Sequence, residues 1–330
     1  MALLAAPLRA AEPESLVLNL ACLYPEDHPV VKEVLLPWAG EMLRQSKGRL
    51  IIRLYNPGAL CQDDEVLQAV RLGQIAMGHG ALSAAWTHFP LGQSTALDLG
   101  EETLARKSTA FWRIYQDLPE LQKEFKGIRI LALHARQPYN LYAVRDGLYG
   151  TADLRGRRIL AETPAAAEAL AFLGAYPLTV PLGDFSMYLN EQEADGALLT
   201  LDQAGQIQAE KEFSQAALVD LPGGMCWLGI NQGLWDILPL DLRKILADAS
   251  GLKLSQELGR VLRAAHRMDM DDLRAGSLRV HYLSAGERAV LRKAFQDNLL
   301  EQWQNNAQVA GMNNPRAVYE RMRRIMTEAR

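Results

Sequence analysis

Three cysteines in 330 residues, Cys22, Cys61 and Cys226, are too few and too widely spaced for a disulfide framework or a thiolate metal site. Two readings stay open for them: small buried hydrophobic side chains, or one bridge with one thiol left over. Six histidines, His28, His79, His88, His134, His266 and His281, show neither an H-x-x-x-H nor an H-E-x-x-H spacing, which excludes the common helical zinc motifs. There is no G-x-S-x-G nucleophile turn and no G-x-x-x-x-G-K-[ST] phosphate loop. No catalytic residue, metal or cofactor is therefore expected. Positive charge is also short, with 35 Lys plus Arg against 39 Asp plus Glu and a net charge of −4. Without a long basic run, nucleic acid is not an expected partner. No stretch after the N-terminus reaches the roughly 18 uninterrupted apolar residues of a membrane helix, so the chain is not expected to span a bilayer.

What is present is an ordinary globular composition, 49% hydrophobic and 22% charged, at a length that suits two domains. The start, M-A-L-L-A-A-P-L-R-A-A-E-P, has a short apolar run and a small-residue end, like the back half of a signal peptide without its basic front. Residues 1–14 are read as a signal-peptide remnant of an exported, periplasmic chain; a frayed Ala-rich start of a cytoplasmic chain is the alternative. Ser15 to Ala21 alternates like a strand, and Val31, Val34, Leu35, Trp38 and Met42 then recur at helical spacing, with Pro37 expected to bend that helix. Arg49 to Tyr55 reads as a strand, Asn56-Pro57-Gly58 as a turn, and Asp63, Asp64 and Glu65 open a short helix at its positive end. Strands near Ile75 to Gly80 and Ile128 to His134 bracket a helical stretch from Glu102 to Glu124, an α/β lobe. Pro222-Gly223-Gly224 is the clearest hinge candidate, before a strand at Met225 to Ile230. Ser284 with Glu287 is a capping box opening what reads as the last helix.

The densest information lies between Asp153 and Gly196. Asp153 and Gly156 suit a turn, Arg157 to Ala161 a strand, Thr163-Pro164 a cap followed by the first helical residue, Gly174 the helix stop, and Leu178 to Val180 a second strand. Strand, helix, strand in this order is a βαβ unit, which needs a parallel pair. This segment resembles the signature of the solute-binding proteins of TRAP transporters, D-L-K-G-x-K-I-R-V-P, then L-G-A-x-P, then E-x-Y-x-A-L-Q-x-G-x-x-D-G. Asp153, Leu154, Gly156, Ile159, Leu173, Gly174, Ala175, Pro177, Leu189, Asp195 and Gly196 fall at matching places, and His28-Pro29, Gly48-Arg49, Asn56 to Leu60 and Asn231 to Pro239 extend the likeness along the chain.

The resemblance implies an α/β, two-lobed periplasmic-binding-protein-like fold with a hinge, mixed sheets and long C-terminal helices. Lobe I is expected to comprise 15–136 and 225–262, and lobe II 137–224 and 263–330. It also implies a small-molecule ligand between the lobes and TRAP membrane subunits as partners. The family's carboxylate-binding Arg falls on Leu160, which cannot form that bond. A second basic position falls on Tyr139, with Arg136 three residues away, and the family's Tyr falls on Ser186. Those residues, with Tyr24, Asn56, Ser83 and Trp86 in loops after first-lobe strands, Glu162, and Asn231, form the expected ligand-binding set. Strand alternation places Arg158, Leu160 and Glu162 on one face. A carboxylate at Glu162 where the family has cation favours an amine-bearing or hydroxyl-rich neutral ligand over a simple carboxylate. Two other classes stay open: an α/β enzyme using Glu162 and His134 as acid and base, and a binding protein serving a signalling partner.

Overall fold

Alternation along the strands sorts the apolar side chains to two faces, and in the computed structural model each sheet has a core on both sides. The structure describes residues 15–84, 89–96, 103–294 and 300–328. One sheet runs in the order β2 (Leu50–Tyr55), β1 (Leu16–Ala21), β3 (Met77–Ala81), β10 (Met225–Asn231), β4 (Ile128–Ala135). β1 pairs in parallel with β2 and β3, and β10 runs antiparallel between β3 and β4. Met225 and Trp227 enter one core while Leu228 and Ile230 enter the other. The second sheet runs β11 (Arg279–Tyr282), β9 (Gln215–Leu221), β5 (Tyr139–Ala143), β8 (Gly196–Thr200), β6 (Arg158–Ala161), β7 (Tyr176–Thr179). Both sheets are mixed, and helices cover their faces.

The βαβ unit forms as the sequence predicts. Thr163 caps the Pro164–Phe172 helix by accepting from the Ala166 N–H at 3.2 Å. Gly174 turns the chain at φ +87°, where a side chain is disfavoured, and β6 and β7 pair in parallel. The bend expected at Pro37 is a π-helical turn at Val30–Leu35 running into the Leu36–Gln45 helix. Proline offers no N–H to the ladder, so the turn before it widens. The expected Glu102–Glu124 helix is two helices, Leu104–Asp117 and Pro119–Glu124, broken at Leu118 because a residue before proline avoids helical ψ. All three cysteines are free thiols.

The chain passes between lobes at Arg136–Pro138, where β4 gives way to β5, and at Pro222–Gly224, where β9 gives way to β10. These crossovers lie side by side: the Arg136 N–H donates to the Gly224 carbonyl at 3.1 Å. Gly223 has no room for a side chain, since a Cβ there would stand 2.1 Å from the Gln137 carbonyl oxygen. A third connection is the Leu252–Ala275 helix, which runs unbroken through the expected division at residue 262. Its first half packs under the first sheet, and Leu273 near its end packs on the second lobe.

Two expectations fail here. The helix capped by Ser284 and Glu287 (Ala285–Ala294) is not the last, because helices at Leu300–Val309 and Pro315–Glu328 follow. Those helices also do not belong with the second lobe: Trp303, Ala307, Val318, Tyr319, Met322 and Met326 are buried in the first-lobe core with Phe89, Phe111 and Phe125. Amphipathic spacing shows that a helix has an apolar face, but not which core that face covers. The signal-peptide assignment at residues 1–14 lies outside the described residues.

Candidate functional site

A cleft of about 690 Å³ lies where the loops after β1, β2, β3 and β4 meet those after β6, β7 and β8. Facing strand ends across a hinge are where open α/β folds place ligands. Four carboxyl groups, Asp63, Asp64, Glu162 and Asp202, line it against one guanidinium, Arg136.

Arg136 is buried at the end of β4, and its charge is matched by the protein itself. Nη2 donates to the Glu162 carboxylate at 2.8 Å, Nη1 reaches Ser83 Oγ at 3.4 Å, and the guanidinium lies 5.2 Å over the Tyr139 ring. Burial alone would lower its pKa, but Tyr139 and Glu162 hold it well above the ordinary value. Glu162 also accepts from Gln203 Nε2. Burial and then the neighbouring Glu162 charge push the Asp63 carboxyl up to about 6, with Arg136 opposing. On the other side, His28 Nε2 lies 3.6 Å from the Asp202 carboxylate, a contact between first-lobe and second-lobe side chains that are both almost fully buried. Burial would raise Asp202, but His28, Thr200 and the Arg136 charge hold it below the usual carboxylate range.

The floor is aromatic and imidazole. Tyr24 stacks on His28 at 4.0 Å and meets His79 edge-on at 5.5 Å. His79 Nε2 contacts His134 Nε2 at 2.8 Å, and His134 Nδ1 contacts the Ala135 carbonyl at 2.8 Å. Tyr24 Oη, His79 Nδ1, Asp202 Oδ1 and Arg136 Nε are buried without a hydrogen-bond partner among the described residues.

Of the sequence-derived set, Tyr24, Arg136 and Glu162 line the cleft. Ser83 and Tyr139 stand behind Arg136 and line a smaller apolar cavity of about 60 Å³ beside Pro222, Gly223 and Trp303. Asn56 is exposed and binds the Glu26 N–H at 3.0 Å, tying two loops together, while the adjacent Pro57 and Gly58 reach the cleft. Ser186 is half-buried in the Phe185–Asn190 helix, outside the lining that Leu182 and Gly183 provide. Asn231 caps the Gln232–Ile237 helix through the Leu234 N–H at 2.9 Å and donates to the Val70 carbonyl at 2.8 Å. Leu160 is fully buried in the second-lobe core with Tyr142, Phe185 and Leu199, so it does not face the ligand space. β6 ends at Ala161, and the alternation that would have put Leu160 beside Glu162 ends with it. Trp86 lies outside the described residues.

Asp63, read in the sequence only as a helix opener, and Asp202 and Gln203, not singled out there, also line the cleft. A signal existed for the last two: Thr200 and Gln203, three apart ahead of a helix, form a capping box, with Gln203 Oε1 accepting from the Thr200 N–H at 3.0 Å. The Glu162 and His134 acid–base pair does not form, since Glu162 is held by Arg136 and Gln203 while His134 is held by His79 and the Ala135 carbonyl.

Comparison with known proteins gives a match of residues 20–306 to the family described as bacterial extracellular solute-binding protein, family 7. The outer membrane transporter protein TsaT of Comamonas testosteroni is 24% identical over 262 residues, 77% of this chain and 76% of that protein. A TRAP solute-binding protein of Rhodoferax ferrireducens, solved with benzoate, superposes at a TM-score of 0.84 and 21% identity, covering 96% of this chain and 98% of the other. A marine-metagenome TRAP solute-binding protein specific for aromatic acids, solved with 3-hydroxybenzoate, gives 0.86 and 17%, with 96% and 99% covered. A Bordetella bronchiseptica relative with bound mandelate gives 0.80 and 21%, with 96% and 100% covered.

Proposed function

The chain belongs to the bacterial extracellular solute-binding proteins of family 7, and from that premise we propose that its cleft takes a small amine-bearing or hydroxyl-rich neutral solute rather than a simple carboxylate. The periplasm is the compartment this implies, and the membrane subunits of a TRAP transporter are the receivers, docking with the form in which the lobes have closed. One observation carries the ligand class. The guanidinium that would clamp a carboxylate already holds the Glu162 carboxylate, so an incoming acid must displace an internal ion pair and then sit beside Asp63, Asp64 and Asp202. A ligand ammonium or hydroxyl instead meets acceptors.

A second reading has its own support: the neighbours solved with benzoate and 3-hydroxybenzoate share the fold, and an aromatic acid that displaced Glu162 would find Arg136. Benzylamine, benzyl alcohol and benzoate hold the ring constant and change only the head group, so they separate the two readings. At a hundred times its dissociation constant a ligand stabilises by about 2.7 kcal/mol, a shift of a few degrees in thermal unfolding. Stabilisation by the amine or the alcohol, with benzoate silent, is the expected result. Stabilisation by benzoate alone overturns the proposal.

A further inference from the structure

His79, which lines the cleft, and His134, buried beside it, come from strands that do not touch. β10 separates β3 from β4, with His79 opposite Leu228 and His134 opposite Cys226. Those β10 positions are two apart, so both imidazoles stand on one face and meet over the strand between them. Their hydrogen bonds form a directed chain with a single consistent assignment. The Ala135 carbonyl can only accept, so His134 Nδ1, at 2.8 Å, carries the hydrogen. In a neutral ring that leaves His134 Nε2 as an acceptor, and the 2.8 Å contact between the two Nε2 atoms then requires the hydrogen from His79. His79, 1% exposed and lining the cleft, is left with a bare Nδ1 lone pair that has no partner among the described residues.

We infer that His79 is a specificity-determining acceptor for a hydrogen-bond donor on the solute, and that His134 is a positioning residue that fixes His79 in the Nε2–H tautomer. Both rings are neutral at physiological pH, as the chain requires: burial lowers His134 to about 4, and burial together with His134 takes His79 well below the usual histidine value. The environment enforces the selection. Tyr24 packs edge-on against His79, and a solute presenting an acceptor or a methyl group at Nδ1 would leave a buried lone pair unmatched. Discrimination of this kind, against analogues that lack the donor, is stronger than discrimination by shape in an apolar pocket.

The inference rests on the reading that the cleft takes a donor-bearing solute, and the test keeps the two apart. Nitrogen NMR of the full chain with labelled histidine, the His79 signals assigned by their loss in His79→Gln, reports the tautomer without any ligand. The Nε2–H form of His79 is expected in the wild type, and a mixture of tautomers in His134→Phe. Benzylamine is expected to move the His79 Nδ1 resonance, whereas N,N,N-trimethylbenzylammonium, with the same ring and charge but no N–H, leaves it in place. A wild-type His79 that is Nδ1–H or an imidazolium overturns the inference, as does a benzylamine that stabilises the chain with the Nδ1 resonance unmoved. Failure of both benzylamine and benzyl alcohol to stabilise the chain counts against the ligand class alone, because the tautomer is read in the free protein.

Discussion

Glu162 is the residue on which the ligand class turns. Glu162→Gln leaves the Arg136 guanidinium, 4% exposed, without its counter-charge, and breaking a buried pair from one side costs about 3–5 kcal/mol. The glutamine carbonyl can still accept one N–H, so a loss near the lower end is expected, read as a lower urea midpoint with an unchanged slope. Asp63 gives a pH-dependent prediction. Its pKa in the fold, about 6, is above its ordinary 3.8, so folding favours the protonated form. That stability is fully present below 3.8 and is lost as pH rises through about 6. Asp63→Asn should therefore stabilise the fold at neutral pH, by less than about 1 kcal/mol because the site is partly open to solvent and read as a higher unfolding temperature, and change nothing in acid. A gain of equal size in acid would mean that charge is not the cause. At this scale the sequence was informative where chemistry is local. Glu162 was reached by strand alternation from Leu160, and Arg136 by its nearness to the family's second basic position, and both line the cleft; Leu160, placed there by the resemblance, is buried in the second-lobe core, and its strand ends one residue later, at Ala161. The Thr200 and Gln203 capping box marks where their helix starts, but Asp202 and Gln203 owe their place at the cleft to long-range packing of β8 against β6.

Among elements, the βαβ unit was the most legible because each of its punctuation marks acts within a few residues: the Thr163 cap, Pro164 at the first helical position, and Gly174 in the left-handed region. The π-helical turn before Pro37 was legible only as a bend, since its form depends on how the freed carbonyls are satisfied. The Pro222–Gly224 crossover was marked by composition alone, and its physical reason is the backbone of the neighbouring crossover. Gly223→Ala places a methyl 2.1 Å from the Gln137 carbonyl oxygen, a clash that only a backbone shift relieves. A loss of at least about 1–3 kcal/mol is expected, on the scale of overpacking. Gly40→Ala is the control, in a helix where nothing beyond the adjoining residues and the helix's own backbone lies within 4 Å of the added carbon. It should stabilise by up to about 1 kcal/mol. Equal effects of the two changes in thermal unfolding would show that the crossovers do not constrain each other.

Across the whole molecule, three connections among the described residues join the lobes, and side chains meet between them, Arg136 with Glu162 and His28 with Asp202. The α/β alternation was legible in the strand and helix periods and the two lobes in the family resemblance, whereas the return of residues 300–328 to the first lobe was legible in neither. Ligand selection belongs to this scale as well: among the described residues, cleft carboxylates from both lobes outnumber the one guanidinium, which is the ground for proposing that the cleft disfavours an anion. Titration calorimetry of benzoate into the wild type and into Glu162→Gln tests this most directly. No binding heat is expected with the wild type, and measurable binding once Arg136 is released; benzoate binding to the wild type as tightly as to the variant would show that the Arg136–Glu162 pair does not exclude acids.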